Sequence, residues 1–363
     1  MTKIALFIPS LRGGGAENIF LNLSKGLLDK GYLVDLVLCQ RKGEYLTKVD
    51  ERVVVVDLQS DRLLYALLPL FSYLKEQRPK VLISGIFHVN IISLLAVLLS
   101  GLKTSIVVTE HNPFSITQKK LGLFKRFVTR MLIKLLYPYA KAVVTVSQGV
   151  RDDLIKNVGV KKNNIRVIYN PIDVFDIQKK SQDAPDHKWL KNKTVPVILG
   201  VGRLTDQKDF PTLLRAFAKV QRQIDARLII LGEGEKRESL EALVEDLRLE
   251  EVVDLPGFVK NPYSFMGAAD VFVLSSIHEG LPTVLIEALA CGTPVVSTDC
   301  PSGPSEILEN GKYGSLVLMR DPEALSNSIL SMLESHLPEK VLQERASFFS
   351  IDQAIGNYTK LIE

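Results

Sequence analysis

The sequence predicts an α/β protein built from two doubly wound parallel-sheet domains. Three observations carry this. A chain of 363 residues is long enough for two full cores. Short apolar runs alternate with helical stretches along nearly its whole length. The alternation pauses once, over residues 174–194, which are polar, carry Pro185 and lack apolar periodicity; that stretch predicts a linker or an insertion.

The elements follow in order. Ile4 to Pro9 is a buried strand, then comes a glycine turn, then a helix from about Ala16 to Lys30. Leu33 to Cys39, Val53 to Leu58, Val81 to Ser84, Ser105 to Thr109, Ala142 to Val146 and Ile165 to Ile168 continue the strands, most of them separated by helical stretches. Asn170-Pro171-Ile172-Asp173 closes the first domain, placed at 1–170. The second series, placed within 171–347, has strands at Val195 to Val201, Ala226 to Leu231, Val252 to Leu255, Val271 to Leu274 and Pro294 to Ser297. Two Rossmann-like domains facing across a cleft are expected, because ligands of such sheets bind outside the carboxyl ends of the strands.

Composition removes several function classes. Hydrophobic content of 46% and charged content of 24% are ordinary for a soluble α/β chain. Cys39, Cys291 and Cys300 form no framework spacing, which suits a reducing cytoplasm. The first apolar run is too short for a signal peptide. The longest, Ile91 to Leu99, is broken by Ser93 and falls short of the roughly 20 residues of a membrane span.

The net charge of +4 is unevenly spread: residues 1–170 hold 25 Lys and Arg against 12 Asp and Glu. No acid lies between Glu110 and Asp152. That interval carries Lys119, Lys120, Lys125, Arg126, Arg130 and Lys134, interleaved with leucines, phenylalanines and Met131 at helical spacing. A basic amphipathic helix over 119–134 reads as a surface for anionic lipid. The competing reading is a core helix with a solvated basic face. A nucleic-acid partner is not expected, since aromatics are scarce and no recognition module is visible.

The strand ends hold the chemistry. After Val271 to Leu274 comes Glu279-Gly280-Leu281-Pro282-Thr283, and Glu287 follows eight residues after Glu279. Pro282 suits the first turn of a helix. The N–H groups of Leu281, Thr283 and Val284 are expected to point out of the helix start, where unpaired donors and the helix dipole attract phosphate. A carboxylate beside such a site makes sense if it accepts hydrogen bonds from sugar hydroxyls. A diphosphate with sugars at both ends fits. After Val195 to Val201, Arg203 and Lys208 place two cations on one loop, a fork and a point charge for a diphosphate. Gly13-Gly14-Gly15 after the first strand lets a ligand approach the backbone, although neither the dinucleotide fingerprint nor a P-loop is present. His111, just past Ser105 to Thr109, stands where it can hydrogen bond a reacting group. Gly257-Phe258-Val259 offers backbone groups and an aromatic to a base; the competing reading is a packed Phe258. No D-x-D triplet occurs, and His88, His111, His187, His278 and His336 show no metal-ligand spacing, so no metal is expected.

Taken together, Glu279 and Glu287, Gly202-Arg203-Leu204 with Lys208, Gly14-Gly15-Ala16-Glu17 and Glu110-His111 resemble retaining GT-B glycosyltransferases of glycosyltransferase family 4. The likeness runs over nearly the whole chain and is tighter in the second domain. It implies transfer of a sugar from a nucleotide donor with retention at the anomeric carbon, without a required cofactor or metal. It implies that Arg203 and Lys208 hold the diphosphate, Glu287 the ribose, Glu279 the sugar hydroxyls, residues near Gly257 to Val259 the base, the Gly14-Gly15 turn the phosphates and acceptor, and His111 the donor sugar. It also implies a C-terminal helix, about 348–363, crossing back to the first domain. The run Asp299 to Leu308 is similar to members that build bacterial surface glycans on lipid carriers, often from UDP-N-acetylhexosamines. The implied partners are a nucleotide-diphosphate sugar and a glycan or polyprenyl-linked acceptor; the basic interval adds the inner face of the cell membrane.

Charge sets the expected mechanism. Breaking the glycosidic bond places negative charge on the diphosphate, which fixed cations and a helix start stabilise. No carboxylate stands out as a double-displacement nucleophile. Two rivals share the architecture or the ligand: a nucleotide-sugar epimerase, which lacks this pairing of acids and cations, and a non-catalytic glycan- or lipid-binding protein, which turnover of donor would exclude.

Overall fold

The computed structural model describes residues 1–118 and 122–363. They form two compact units, Met1–Ile172 with Ile351–Glu363, and Asp173–Ser350.

The first unit holds seven parallel strands: β1 (Lys3–Ile8), β2 (Leu33–Leu38), β3 (Val54–Asp57), β4 (Val81–Gly85), β5 (Ser105–Glu110), β6 (Ala142–Thr145) and β7 (Ile165–Val167). Their order is β3-β2-β1-β4-β5-β6-β7. Helices cover both faces, so the central strands are apolar along their length rather than alternating; Ile4 to Ile8 are all buried. Ile351–Ile362 is the helix that closes this unit. It lies on helix Gly15–Asp29 at Gly26, where a methyl group would sit 2.5 Å from Ile355 Cγ1 and 2.6 Å from Ile351 Cγ2. Glycine is there because two helices touch through it.

The second unit holds β8 (Val197–Val201), β9 (Arg227–Leu231), β10 (Val253–Gly257), β11 (Val271–Leu274), β12 (Val295–Thr298) and β13 (Ser315–Val317), ordered β10-β9-β8-β11-β12-β13 and all parallel. β13 is absent from the sequence reading: three residues at a sheet edge are too short to leave an apolar run.

Residues 174–194 correct the expected linker. They contain helices Val174–Ser181 and Lys188–Lys191. Asp173 caps the first by accepting from Asp176 N–H at 3.1 Å, and Val174, Ile177 and Ser181 are its buried face. His187 starts the second, its Nδ1 accepting from Trp189 N–H at 3.2 Å. Two helices this short complete too few turns for periodicity to show. In the basic interval the helix runs Leu123–Leu136, with Gly122 as its N-cap. Lys119, Lys120 and Leu121 lie outside the described residues. Among the described residues no helix is long and apolar enough to cross a membrane.

Candidate active site

Each sheet reverses its strand order once, at β1/β4 in the first unit and at β8/β11 in the second. Crossovers leave in opposite directions at a reversal, so the loops beyond the strand ends part and open a crevice there.

In the second unit the two loops at the reversal carry the cations and the first glutamate. Ile277 N–H donates to the Gln207 carbonyl at 2.9 Å, and Ser275 Oγ to the Lys208 carbonyl at 2.7 Å, which ties them together. Lys208 Nζ donates to Glu279 Oε1 at 2.7 Å. Ser276 Oγ donates to the same oxygen at 2.7 Å, and Gln207 Nε2 donates to Oε2 at 3.3 Å. The buried Glu279 is thus a neutralised carboxylate with both oxygens occupied, which meets the cost of burying a charge. Gln207 and Ser276 escaped sequence analysis, because nothing marks a Gln or Ser in a loop until the fold brings it to a carboxylate.

Arg203 is exposed and has no side-chain partner among the described residues. Its loop lies flat on the next one. A methyl at Gly232, whose φ is +137°, would sit 1.9 Å from the Gly202 carbonyl oxygen. Leu204 N–H donates to the Glu233 carbonyl at 2.9 Å. The glycines of Leu231-Gly232-Glu233-Gly234 therefore serve close backbone packing that aims Arg203 outward.

The helix bearing Glu287 is Thr283–Ala290, and its start corrects the sequence reading. Pro282, at φ −70° and ψ 96°, is the extended residue before the helix, not part of its first turn. Leu281 is buried in the preceding loop, so of the three expected N–H groups only those of Thr283 and Val284 open the helix. The cause is the neighbouring segment. Pro301 carbonyl accepts from Glu279 N–H at 2.8 Å, Ser302 Oγ donates to the Gly280 carbonyl at 2.9 Å, and a methyl at Gly303 would lie 2.6 Å from Pro282 Cδ. These contacts hold Glu279–Pro282 extended. Glu287 is one turn past Thr283, on the buried face. Burial pushes its carboxyl up to about 7, against the Thr283 hydrogen bond and the Lys208 charge, which pull it down.

At the end of β10, Gly257 has φ +88°, and Glu233 Oε1 lies 2.6 Å from where a side chain would begin. Arg237 pairs with Glu233 at 2.7 Å and donates to the Leu255 carbonyl at 3.1 Å, which anchors this loop. Phe258 is 68% exposed, so the packed-core reading of it does not hold, and Val259 is half-buried.

In the first unit, Gly13 and Gly14 N–H groups donate to Glu17 Oε2 at 2.6 and 3.1 Å. The expected open donors are therefore occupied at these two positions by the helix's own capping glutamate. Gly15 differs: a methyl there would meet nothing within 4 Å, so the chain's own packing does not require glycine. His111 follows β5 and is buried. Its Nε2 lies 2.9 Å from Thr109 Oγ1, whose own hydrogen goes to the Ser84 carbonyl at 2.9 Å. Nε2 is therefore the donor and Nδ1, which has no partner among the described residues, an acceptor. Burial lowers the ring's pKa to about 4, so it is neutral. Glu110 turns the other way, accepting from the Tyr137 hydroxyl and from Asn90 Nδ2 at 2.9 Å. Asn90 Nδ2 also reaches the Thr109 carbonyl at 2.9 Å, so this buried network fixes the strand end from which His111 projects. Cys39, Cys291 and Cys300 are free and buried, their thiols pushed up to about 11, 12 and 12.

Two family models match: Glycosyltransferase Family 4 over residues 13–174 and Glycosyl transferases group 1 over 181–347. An N-acetylgalactosamine-N,N'-diacetylbacillosaminyl-diphospho-undecaprenol 4-alpha-N-acetylgalactosaminyltransferase of Campylobacter jejuni is 33% identical over 357 residues, covering 95% of this chain and 94% of its own length. A second Campylobacter jejuni relative, an alpha-1,4-N-acetyl-D-galactosaminyltransferase acting on GalNAc-alpha-(1->4)-GalNAc-alpha-(1->3)-diNAcBac-PP-undecaprenol, is 28% identical over all of this chain and 98% of its own. Anabaena Alr3699/HepE, solved with UDP-glucose, superposes with a TM-score of 0.81 at 22% identity over 99% of both chains.

Proposed function

Since the chain belongs to glycosyltransferase family 4 and has the GT-B fold, we propose that it transfers an N-acetylhexosamine or hexose from a UDP-sugar, with retention, to a lipid-linked glycan in bacterial surface polysaccharide or glycoconjugate synthesis. The observation that carries the proposal is the cluster at the β8/β11 reversal: a free guanidinium, an ammonium–carboxylate pair and a helix start within two tied loops. The names of the two Campylobacter relatives support an N-acetylhexosamine and an undecaprenyl diphosphate carrier. The UDP-glucose complex of the Anabaena protein supports the base.

In this reading Arg203 grips the diphosphate, and Lys208 exchanges Glu279 for a phosphate oxygen as charge develops on the leaving group. Glu279 is then released to accept from hydroxyls of the sugar. Thr283 and Val284 N–H groups and the Gly280–Pro282 loop meet phosphate, Glu287 the ribose, and Gly257, Phe258 and Val259 the base. His111, through the acceptor Nδ1, takes a hydroxyl hydrogen of the donor sugar. Gly14 and Gly15 leave room for phosphate and acceptor. The leaving phosphate takes the acceptor's proton. No metal or cofactor is required, and the enzyme works at the cytoplasmic face of the membrane.

The test is a panel of nucleotide sugars assayed with polyprenyl-diphosphate glycans, followed by NMR of the product. An α-linked product from one UDP-sugar is expected. A β-linkage would overturn retention. Donor isomerisation without acceptor would replace transfer by epimerisation.

A further inference from the structure

We infer that Arg345 is a positioning residue for the sugar site, acting through residues 301–307 on the loop 279–282. The hold on the loop stands on geometry alone. Its consequence for transfer rests on the assignment of that loop to the donor made above.

Arg345 lies on helix Glu339–Ser347 and is only 9% exposed. A buried guanidinium is costly unless its donors are paired. Here Nη2 donates to the Glu306 carbonyl at 2.7 Å, Nε to the Ile307 carbonyl at 2.8 Å and Nη1 to Glu309 Oε1 at 2.7 Å. The rings of Tyr313, Phe348 and Phe349 stand 5.3, 5.0 and 5.0 Å from the guanidinium carbon, within cation–π reach.

The two carbonyls identify what the guanidinium is for. Helix Pro304–Ile307 is a single turn, and the last carbonyls of a helix have no partner inside it. That of Pro304 accepts from Leu308 N–H at 2.9 Å and that of Ser305 from Asn310 N–H at 2.8 Å. Those of Glu306 and Ile307 go to Arg345, which completes the set. A planar fork can reach two adjacent carbonyls and a carboxylate together; an ammonium cannot. The grip also secures an unfavourable turn, since Glu309 and Asn310 sit at φ +44° and +55°, in the left-handed region. For packing alone, an apolar side chain of similar volume would serve at lower cost.

The other end of this turn is Gly303, whose carbonyl accepts from Ile307 N–H at 2.9 Å. Pro301, Ser302 and Gly303 make the contacts that keep loop 279–282 extended. A rigid connection therefore runs from the guanidinium to the Glu279 N–H. The same helix has a second hold. Its first residue, Glu339, lies against Gly292, just past helix Thr283–Ala290, and a methyl on Gly292 would collide with it. One helix thus bears on the elements that carry Glu279 and Glu287.

The test uses the full chain. Arg345→Lys keeps the charge and loses the fork; Arg345→Met loses both, and where it fails to fold Arg345→Lys decides. Hydrogen exchange is read by mass spectrometry without substrate, on peptides covering 276–284 and on strand β8 of the same unit. In Arg345→Lys the first should exchange about tenfold faster or more, with β8 unchanged. No change at 276–284, or equal acceleration in both, would overturn the proposal, because Arg345 would then hold nothing there or would only stabilise the unit at large. With the UDP-sugar that the panel selects, Arg345→Lys should lower kcat/KM for donor by about tenfold and leave the acceptor KM as in wild type. Ser302→Ala, which removes the bond to the Gly280 carbonyl, should do the same. Combined, the two losses should fall well short of multiplying, since both act on one loop. Losses that multiply would overturn the path through residues 301–307. Wild-type protein that gives the exchange result but turns over no nucleotide sugar would sustain the hold on the loop and count against the enzymatic reading.

Discussion

At the scale of single residues, the site combines one free cation with one that is committed. The Arg203 side chain has no partner to lose among the described residues. Arg203→Ala should therefore cut kcat/KM by about two orders of magnitude through lost stabilisation of the leaving diphosphate, with Tm unchanged. Lys208→Ala should cut it comparably and also lower stability by about 3 kcal/mol, since Glu279 is left buried with its charge uncompensated. Steady-state kinetics and thermal melts on both variants separate the two effects; normal turnover in either removes the diphosphate assignment. Glu110 offers a pH test. Its carboxyl is raised to about 7 by burial, from an ordinary 4.5. A raised acid binds its proton more tightly folded than unfolded, so its contribution is present below pH 4.5 and is lost as pH rises through about 7. His111, lowered to about 4, acts in the opposite sense up to 6.5. Glu110→Gln keeps an acceptor for Tyr137 and Asn90 and removes the titration. Relative to wild type, the variant should gain about 1–3 kcal/mol between pH 5 and pH 8 in denaturant titrations; a pH-independent difference would show that Glu110 does not titrate in this window.

At the scale of elements, helix Ile351–Ile362 depends on one missing side chain. Gly26→Ala would ordinarily stabilise helix Gly15–Asp29 by about 1 kcal/mol. Here the added methyl would meet atoms of both Ile351 and Ile355 at 2.5–2.8 Å, and two branched side chains on the same docked helix have little room to yield. Overpacking of this kind costs about 1–3 kcal/mol, so the net change should be destabilising. Calorimetry should show the first unit's transition lowered and the second unit's unmoved. An increase in stability would mean that the two helices slide apart without cost.

At the scale of the whole molecule, the two units repeat the same kind of parallel sheet, and the second carries the paired cations. In the proposed function, Arg203, Lys208 once it leaves Glu279, and a helix start supply the positive charge at the diphosphate in place of an added ion. Transfer should survive EDTA at full rate. Complete loss on chelation, restored by magnesium or manganese, would show that these groups are not enough.

Much of the molecule was legible because its signals are local. Parallel strands buried on both faces must be continuous apolar runs, so twelve of the thirteen strands among the described residues are visible in the sequence, and the helices between them dictate the doubly wound form. Arg203, Lys208 and Glu279 beyond the strand ends, with Glu287 in the helix that follows, are also visible in the sequence, through their combination rather than through the spacing of any one pair. Tertiary structure decided what those residues do to each other. Only folding brings Lys208 across 71 positions to Glu279, fills both oxygens with Ser276 and Gln207, and lets Gly303 press the Glu279–Pro282 loop out of the helix. It decided that Glu17 occupies the Gly13 and Gly14 donors, and that the apolar residues of Leu123–Leu136 face both ways. Periodicity reports that a helix has an apolar stripe; which stripe meets a core and which is left to solvent depends on neighbours far away in the chain, and no local pattern encodes them.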